Sequence, residues 1–264
     1  ESRIPAEVLK VELERIRTVL PHVALGRELT REDLTRLKEE YDFLVLATGA
    51  QAARVLPVPG KERLVPALEF LKKSRQDTFE PGRKVVIIGA GNVGCDAAAE
   101  AHRLGSEEIT LIDIQEPASF GKEREAAEAV GARFRWPVFT KEITEQGVVL
   151  TTGELLPADL VVVSVGDQPE ADFFPKSIKT DRGYVSVDQD FRTTDKKFFA
   201  IGDAVRPGLL TESIAAGLKV AEAIDRMGKP GTLRQEIRPT MDSSRIKLEY
   251  FDPRITGFED AAQC

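Results

Sequence analysis

The stretch KVVIIGAGNVG, residues 84–94, decides the fold class of this 264-residue chain. An apolar run typical of a buried strand, 84–88, leads directly into the turn GAGNVG, and a helical pattern then continues to about Arg103. A strand, a GxGxxG turn and a helix in this order are typical of a dinucleotide-binding unit. We expect Gly89 to permit the tight turn, Gly91 to let the backbone approach a pyrophosphate, and Gly94 to let helix and strand pack closely. The alternative is a purely structural role, in which the glycine turn only joins the strand to the helix.

An acidic residue ends the next predicted strand, which covers residues 109–113. Asp113 follows Gly89 by 24 positions, the context that the dinucleotide fingerprint requires. Its carboxylate can accept hydrogen bonds from a ribose 2′-hydroxyl and would repel a 2′-phosphate. We therefore expect NAD(H) to be favoured over NADP(H), although Lys122 or Arg124 could reverse this by swinging towards the phosphate. The alternative for Asp113 is a solvated strand end.

Three other predicted strands end in glycine-containing turns, and strands and helices alternate over most of the chain. This alternation predicts an α/β fold with mainly parallel sheets. Ligands of open parallel sheets lie beyond the carboxyl ends of the strands, where the sequence places Thr48-Gly49, Gly166 and Gly202-Asp203. Glycine admits a close approach and Asp203 can bind a hydroxyl. Ordinary turn chemistry is an equal alternative for any one of them.

Periodicity and capping signals predict the remaining elements. Thr30, with Asp33 three positions on, is expected to begin a helix over residues 31–40. The run 43–47 is wholly apolar and predicts a buried parallel strand. Further helices are expected at 5–20, 66–73, 122–130 and 211–227, and further strands at 22–25, 132–136, 141–145, 148–152, 160–165, 185–187, 198–201 and 246–250.

Composition excludes several classes of function. The chain has 44 acidic against 37 basic residues, so binding to nucleic acid or to an anionic membrane surface is disfavoured. No apolar run approaches the roughly 18 residues of a membrane helix. Two cysteines, Cys95 and Cys264, and two histidines predict neither a disulfide framework nor a zinc site, and a cytoplasmic location is expected. Cys95 is expected to be a small buried residue. Both ends look cut, so we expect an internal piece of a longer protein.

Four motifs, taken together in this order, resemble the flavoprotein reductases that contain two dinucleotide-binding folds. They are ATGA at 47–50, GAGNVGCD at 89–96, SVG at 164–166 and FAIGD at 199–203. The positions of Asn92 and Asp96, and the stretch GDAVR at 202–206 before a helix near Thr211, are particularly similar to the glutamate synthase small-chain group. The resemblance covers about residues 4–228.

The resemblance implies a Rossmann-like NAD(P)H-binding domain, about residues 65–183, inserted into a partial FAD-binding domain made of residues 1–55 and 184–230. Residues 231–264 would be a C-terminal extension. It also implies that Asp203 binds the FAD ribityl chain and that the helix start near Thr211 and Glu212 faces the flavin ring. The residues implied to hold the pyridine dinucleotide are Gly89, Gly91, Asn92, Val93 and Gly94.

Three departures from the family pattern matter. The first GxGxxG, which holds the FAD pyrophosphate in that family, and its iron–sulfur cysteine clusters are absent from the sequence. Asp113 and Ile114 replace the basic pair of NADP-using members, which favours NADH. We expect the parent protein to transfer hydride from NAD(P)H to FAD and to pass electrons to Fe–S centres or a partner subunit, and the isolated chain to reduce little without added flavin.

Two other functions are alternatives to a flavin oxidoreductase. One is an NAD(H)-binding sensor without catalysis, which would need only one dinucleotide fold. The other is a flavin disulfide reductase, which would need a CxxC or CxxxxC pair, and the sequence contains neither. The final electron acceptor is left open.

Overall fold

A computed structural model describes residues 6–20, 22–75 and 79–228. The helices are α1 (Ala6–Val19), α2 (Arg31–Glu40), α3 (Ala67–Lys73), α4 (Asn92–Arg103), α5 (Gly121–Ala129) and α6 (Leu210–Gly228). The strands are β1 (Leu44–Leu46), β2 (Ala52–Ala53), β3 (Leu64–Pro66), β4 (Lys84–Ile88), β5 (Glu108–Ile112), β6 (Arg133–Arg135), β7 (Thr140–Thr144), β8 (Gly147–Leu150), β9 (Leu155–Pro157), β10 (Leu160–Val163), β11 (Asp167–Gln168), β12 (Thr180–Asp181), β13 (Tyr184–Val185) and β14 (Phe198–Ala200).

The predicted strand before the glycine-rich turn, β4, is the middle strand of a five-stranded parallel sheet. The strand order is β3-β10-β4-β5-β6, and every neighbouring pair is parallel. A parallel sheet must be covered on both faces. Helices α3 and α4 cover one face with a core that includes Phe70, Ala97 and Ile87. The antiparallel sheet β7-β8-β9 supplies apolar residues to the other face, where Val148 and Val86 belong to the same core.

A second parallel pair joins β1 to β14. Its core includes Leu34 from α2 together with Leu46 and Phe198. The predicted parallel pairing is confirmed, but Val45 is 44% exposed, so the prediction of a buried strand is wrong in part. The physical reason is that β1 has a single strand partner among the described residues, and the alternate side chain of the run points away from this core.

Two short antiparallel pairs complete the strands. β2 pairs with β11, and β12 forms a two-residue hairpin with β13. Each of these four strands has only two residues, which is too few for a periodic pattern to show in the sequence. Of their residues, only Val185 lies in a predicted strand. The pairing of β2 with β11 joins the segment after β1 to the segment after β10.

Most helix predictions are confirmed, and the capping box at Thr30 is present as predicted. The Thr30 side chain accepts from the Asp33 N–H, and the Asp33 side chain accepts from the Thr30 N–H. The predicted strand at 22–25 is wrong: no strand is assigned there, and Val23 and Leu25 are exposed, because no described strand pairs with this segment. The strand predicted at 246–250, the extension 231–264 and Cys264 lie outside the described residues.

The fold class is confirmed as α/β with a parallel sheet. By contacts, residues 221–264 form a separate unit, of which the described part is the end of α6. None of the described helices combines the length and apolar character that a membrane span needs.

Candidate dinucleotide-binding site

The glycine-rich turn lies where the sheet order changes direction, because β4 is flanked by β10 on one side and β5 on the other. Ligands of open α/β sheets bind at such a switch point. Gly89 has φ +105°, and its N–H donates to the Ile112 carbonyl at 2.8 Å. A Cβ atom at Gly89 would lie 2.2 Å from the Ser164 carbonyl oxygen. The first glycine is therefore required both by its backbone angle and by the close approach of the segment that follows β10.

Gly94 and Gly91 differ in what surrounds them. A Cβ atom at Gly94 would lie 2.2 Å from the Gly89 carbonyl oxygen, so this glycine lets α4 pack against the turn. At Gly91 no atom lies within 4 Å of the Cβ position, and φ is −75°, which any residue adopts. A turn that only packed strand to helix would require Gly89 and Gly94 but not Gly91. The open space at Gly91 fits the approach of a pyrophosphate.

The N–H groups in the first turn of α4 receive no side-chain cap from the N-cap residue. Gly91 is the N-cap residue, and it provides no side-chain hydrogen bond to the helix. Asn92 does not cap the helix either: its Oδ1 accepts from the Phe120 N–H at 2.9 Å and so holds the loop before α5. Val93 is exposed in the same turn. Uncapped N–H groups and the helix dipole together attract an anion.

Asp113 touches the glycine-rich turn directly, a contact that sequence reasoning missed. Its Oδ2 accepts from the Ala90 N–H at 2.9 Å, and its Oδ1 accepts from the Gln115 N–H at 3.3 Å. A carboxylate can accept about four hydrogen bonds, so acceptor capacity remains for a ribose hydroxyl. Asp113 thus stabilises the glycine-rich turn, in addition to any role in nucleotide binding.

Arg124 and Lys122, the two basic residues that could reverse the nucleotide preference, differ in their contacts. Arg124 is engaged: its guanidinium carbon lies 3.8 Å from the Phe134 ring centroid, and its Nε lies 2.5 Å from a Glu128 carboxylate oxygen. Lys122 is exposed on α5. To reach a 2′-phosphate, Arg124 would have to give up both contacts, which makes its movement costly.

The other predicted strand ends fall into two groups. Thr48 and Gly49 line a cleft of about 940 Å³ together with Gln168. Gly166, next to this region, accepts a hydrogen bond from the Arg54 N–H at 3.1 Å. The structure therefore brings the end of β1 and the segment after β10 to one cleft.

Gly202 lies in a second, smaller cavity of about 50 Å³, which Glu212 also lines. Glu212 Oε2 accepts from the Leu209 N–H at 2.8 Å and so covers part of the α6 N-terminus. Thr211 is exposed in the first helical turn. Asp203 Oδ1 accepts from the Gly208 N–H at 3.1 Å, which orders the loop before α6.

Asp167 and Cys95 both have raised pKa values. Burial, and next the charge of Asp203, raise the pKa of Asp167. Burial raises the pKa of the Cys95 thiol, which is fully enclosed, so the prediction of a small buried cysteine is confirmed. Over the described ranges, no three His, Cys, Asp or Glu side chains cluster as metal ligands would.

Residues 8–217 match the family described as pyridine nucleotide-disulphide oxidoreductase, so the chain belongs to this family. It is 28% identical over 292 residues to the NADP(+)-dependent formate dehydrogenase subunit beta of Moorella thermoacetica, covering 95% of this chain and 41% of the relative. It is also 28% identical over 241 residues to the NAD-dependent dihydropyrimidine dehydrogenase subunit PreT of Escherichia coli K12, covering 85% and 57%. The chain spans about half the length of these curated relatives.

Among solved structures, the chain is similar to Fdr9 at 28% identity and a TM-score of 0.54, covering 74% of this chain and 52% of that one. The predicted superfamily is confirmed. One of these curated relatives is named for NADP(+) and the other for NAD, so their names do not decide between the two coenzymes. Membership of the glutamate synthase small-chain group stays a prediction.

Proposed function

We propose that this chain supplies the pyridine dinucleotide site and part of the FAD site of an NAD(P)H-dependent flavin oxidoreductase. The parent protein would favour NADH and pass electrons to Fe–S centres or to a partner subunit, as the resemblance to the glutamate synthase small-chain group implies. The observation that carries this proposal is the open space at Gly91, because the packing of the turn gives no reason for a glycine there.

The chain's own residues fit a dinucleotide as follows. The pyrophosphate would lie over Gly91, within reach of the uncapped N–H groups of Asn92 and Val93. Asp113 would accept from the adenosine ribose while still holding the Ala90 N–H. Gly166, after β10, would border the nicotinamide end. Binding of this kind orients the coenzyme and needs no side-chain acid or base.

The preference for NADH follows from charge. A 2′-phosphate would lie against the Asp113 carboxylate, and Arg124, one of the two cations that could neutralise it, is held by Phe134 and Glu128. Like charges at short range disfavour binding. Lys122 remains free to move but is a single, exposed cation.

The division into domains is part of the proposal. Residues 65–183 would bind the pyridine nucleotide, and residues 1–55 with 184–230 would form the FAD portion. The cleft at Thr48 and Gly49 and the loop ordered by Asp203 lie at carboxyl ends of β1 and β14, where parallel strands bind ligands. FAD, when bound, supplies the acceptor for a hydride. A sensor would need only one dinucleotide-binding fold, so this additional pair of strand ends, at β1 and β14, favours an oxidoreductase.

Separate titrations with NADH, NADPH and FAD test the proposal. The chain is expected to bind NADH more tightly than NADPH, and FAD binding measures how much of a flavin site the chain carries. Failure to bind either pyridine nucleotide would contradict the proposal. The cytoplasmic location expected from the cysteine content stays a prediction.

A further inference from the structure

Three arginine side chains line one cavity of about 620 Å³ that the proposed function does not use. They are Arg54, Arg182 and Arg206, and among the described residues Asp181 contributes the one carboxylate of the lining. Three positive charges against one negative give the described residues of this lining a charge of +2, in a chain whose net charge is −7. A concave surface of one sign concentrates ligands of the opposite sign.

Arg54 is held in position by its neighbours. Its Nη2 donates to the Tyr184 hydroxyl at 3.1 Å, and its guanidinium carbon lies 5.6 Å from the Tyr184 ring centroid. The Tyr184 hydroxyl in turn donates to the Asp167 carbonyl at 2.8 Å. A guanidinium has five N–H donors, so most of them stay available for a ligand. A donor fixed in advance loses little conformational freedom on binding.

Arg182 occupies a backbone conformation that does not favour arginine. It is the first residue of the two-residue turn between β12 and β13, with φ +50°, and Gly183 follows with φ +88°. Asparagine, aspartate and glycine are preferred at such a position, and a strained non-glycine residue suggests that its side chain is used. Neither Arg182 nor Arg54 forms an ion pair with a carboxylate of residues 6–20, 22–75 or 79–228.

Arg206 completes the set from the loop before α6. Within the described part of the chain it pairs with Glu212, at 3.6 Å, and both side chains are exposed, so this pair is weak. Arg206 stands three residues after Asp203, and the Arg54 N–H donates to the Gly166 carbonyl. The cavity is therefore attached to two segments that the sequence predicts to contact a cofactor, although it shares no lining residue with the glycine-rich turn.

We propose that Arg54, Arg182 and Arg206 form a binding site for a small oxyanion with two or more negative charges, either a phosphate compound or a polycarboxylate. Arginine pairs with both through two parallel hydrogen bonds, and a doubly charged anion balances the +2 of the lining. Without an anion, three guanidinium groups around one cavity repel one another. This site goes beyond the proposed function and does not depend on it.

Calorimetric titration of the whole chain with pyrophosphate and with citrate, at ionic strength matched with NaCl, tests the site. The variant Arg182→Asn removes one guanidinium and suits the left-handed turn, so the fold is expected to be kept. Loss of one charge-assisted interaction should weaken anion binding about tenfold or more. Arg133→Asn, an exposed arginine on β6, makes the same change of charge elsewhere and should leave binding unchanged.

The two anions distinguish the sources, since tighter binding of pyrophosphate assigns a phosphate ligand and tighter binding of citrate a carboxylate ligand. Absence of binding for both anions would overturn the proposal, as would equal losses in Arg182→Asn and Arg133→Asn. NADH affinity should be the same in Arg182→Asn as in the unmodified chain. An equal loss of NADH affinity would assign the arginines to the dinucleotide site and so also overturn a separate anion site.

Discussion

Replacement of Gly91 by alanine should separate binding from folding. Its φ of −75° is open to alanine, and no atom lies within 4 Å of the new methyl position. Alanine reduces the freedom of the unfolded chain, which stabilises by about 0.4–1 kcal/mol. Alanine is also a poorer N-cap residue than glycine, which destabilises by a similar amount, roughly 0.5–1 kcal/mol. The free energy of unfolding should therefore change by less than about 1 kcal/mol, which corresponds to a change in Tm of no more than about 2–4 °C.

Dinucleotide binding should respond much more strongly than stability. The methyl group of Gly91→Ala would stand where the pyrophosphate approaches the N–H groups of Asn92 and Val93. Loss of one hydrogen bond to a charged group costs about 1.5–3 kcal/mol, which raises the Kd for NADH about 10- to 150-fold. Fluorescence or calorimetric titration with NADH measures this, and thermal denaturation of the same sample measures stability.

Two matched substitutions complete the experiment. In Gly94→Ala the new Cβ atom would meet the Gly89 carbonyl oxygen at 2.2 Å, so this variant should lose stability, by about 1–3 kcal/mol if the packing can adjust. In Gly228→Ala, at the end of α6, the Cβ position is also open, and neither stability nor NADH binding should change much. A Gly91→Ala variant that binds NADH as tightly as the unmodified chain would refute the placement of the pyrophosphate.

Three further substitutions probe the electrostatics. Asp113→Asn keeps an oxygen that can accept the hydrogen bond from the turn but removes the negative charge. The ratio of the Kd for NADPH to the Kd for NADH should therefore fall about fivefold or more, because two unit charges about 4 Å apart interact by about 1 kcal/mol even in water. An unchanged ratio in paired titrations would show that Asp113 does not select between the two nucleotides. Burial and the charge of Asp203 raise the pKa of Asp167, so the ionised group destabilises the fold at pH 7 and this cost disappears as pH falls below the ordinary aspartate value of about 3.9. Asp167→Asn should therefore be more stable than the unmodified chain in urea at pH 7 but not near pH 3, and an equal gain at both pH values would contradict this origin. Lys38→Met leaves the buried Asp195 carboxylate without a cation at 2.7 Å and should cost about 1.5–3 kcal/mol in urea denaturation, with the loss shrinking in acid.

Local signals in the sequence predicted the elements that depend on neighbouring residues. The capping box of Thr30 and Asp33 joins residues three positions apart, so its pattern is visible in the sequence. The strand, turn and helix around Gly89 were equally visible, because the turn's backbone angle and its close packing both exclude side chains. The fold class followed from the alternation of such units.

Features that depend on distant pairing were missed. Strands β3 and β9 each end in a proline, which argues against a strand, and both are found at an edge of their sheets, where proline is tolerated. The bond from Ala90 to Asp113 joins two turns and has no signature in either. Arg182 was overlooked because arginine is not a residue expected at a left-handed turn position.

The most direct test of the central claim is an amide ¹H–¹⁵N NMR titration of the chain with NADH. The largest shift changes are expected at residues 90–94, with Asn92 and Val93 foremost, and little change is expected in the strand Gly147–Leu150, which belongs to the antiparallel sheet on one face of the parallel sheet. Saturating NADH that leaves the amides of residues 90–94 unshifted would contradict the account.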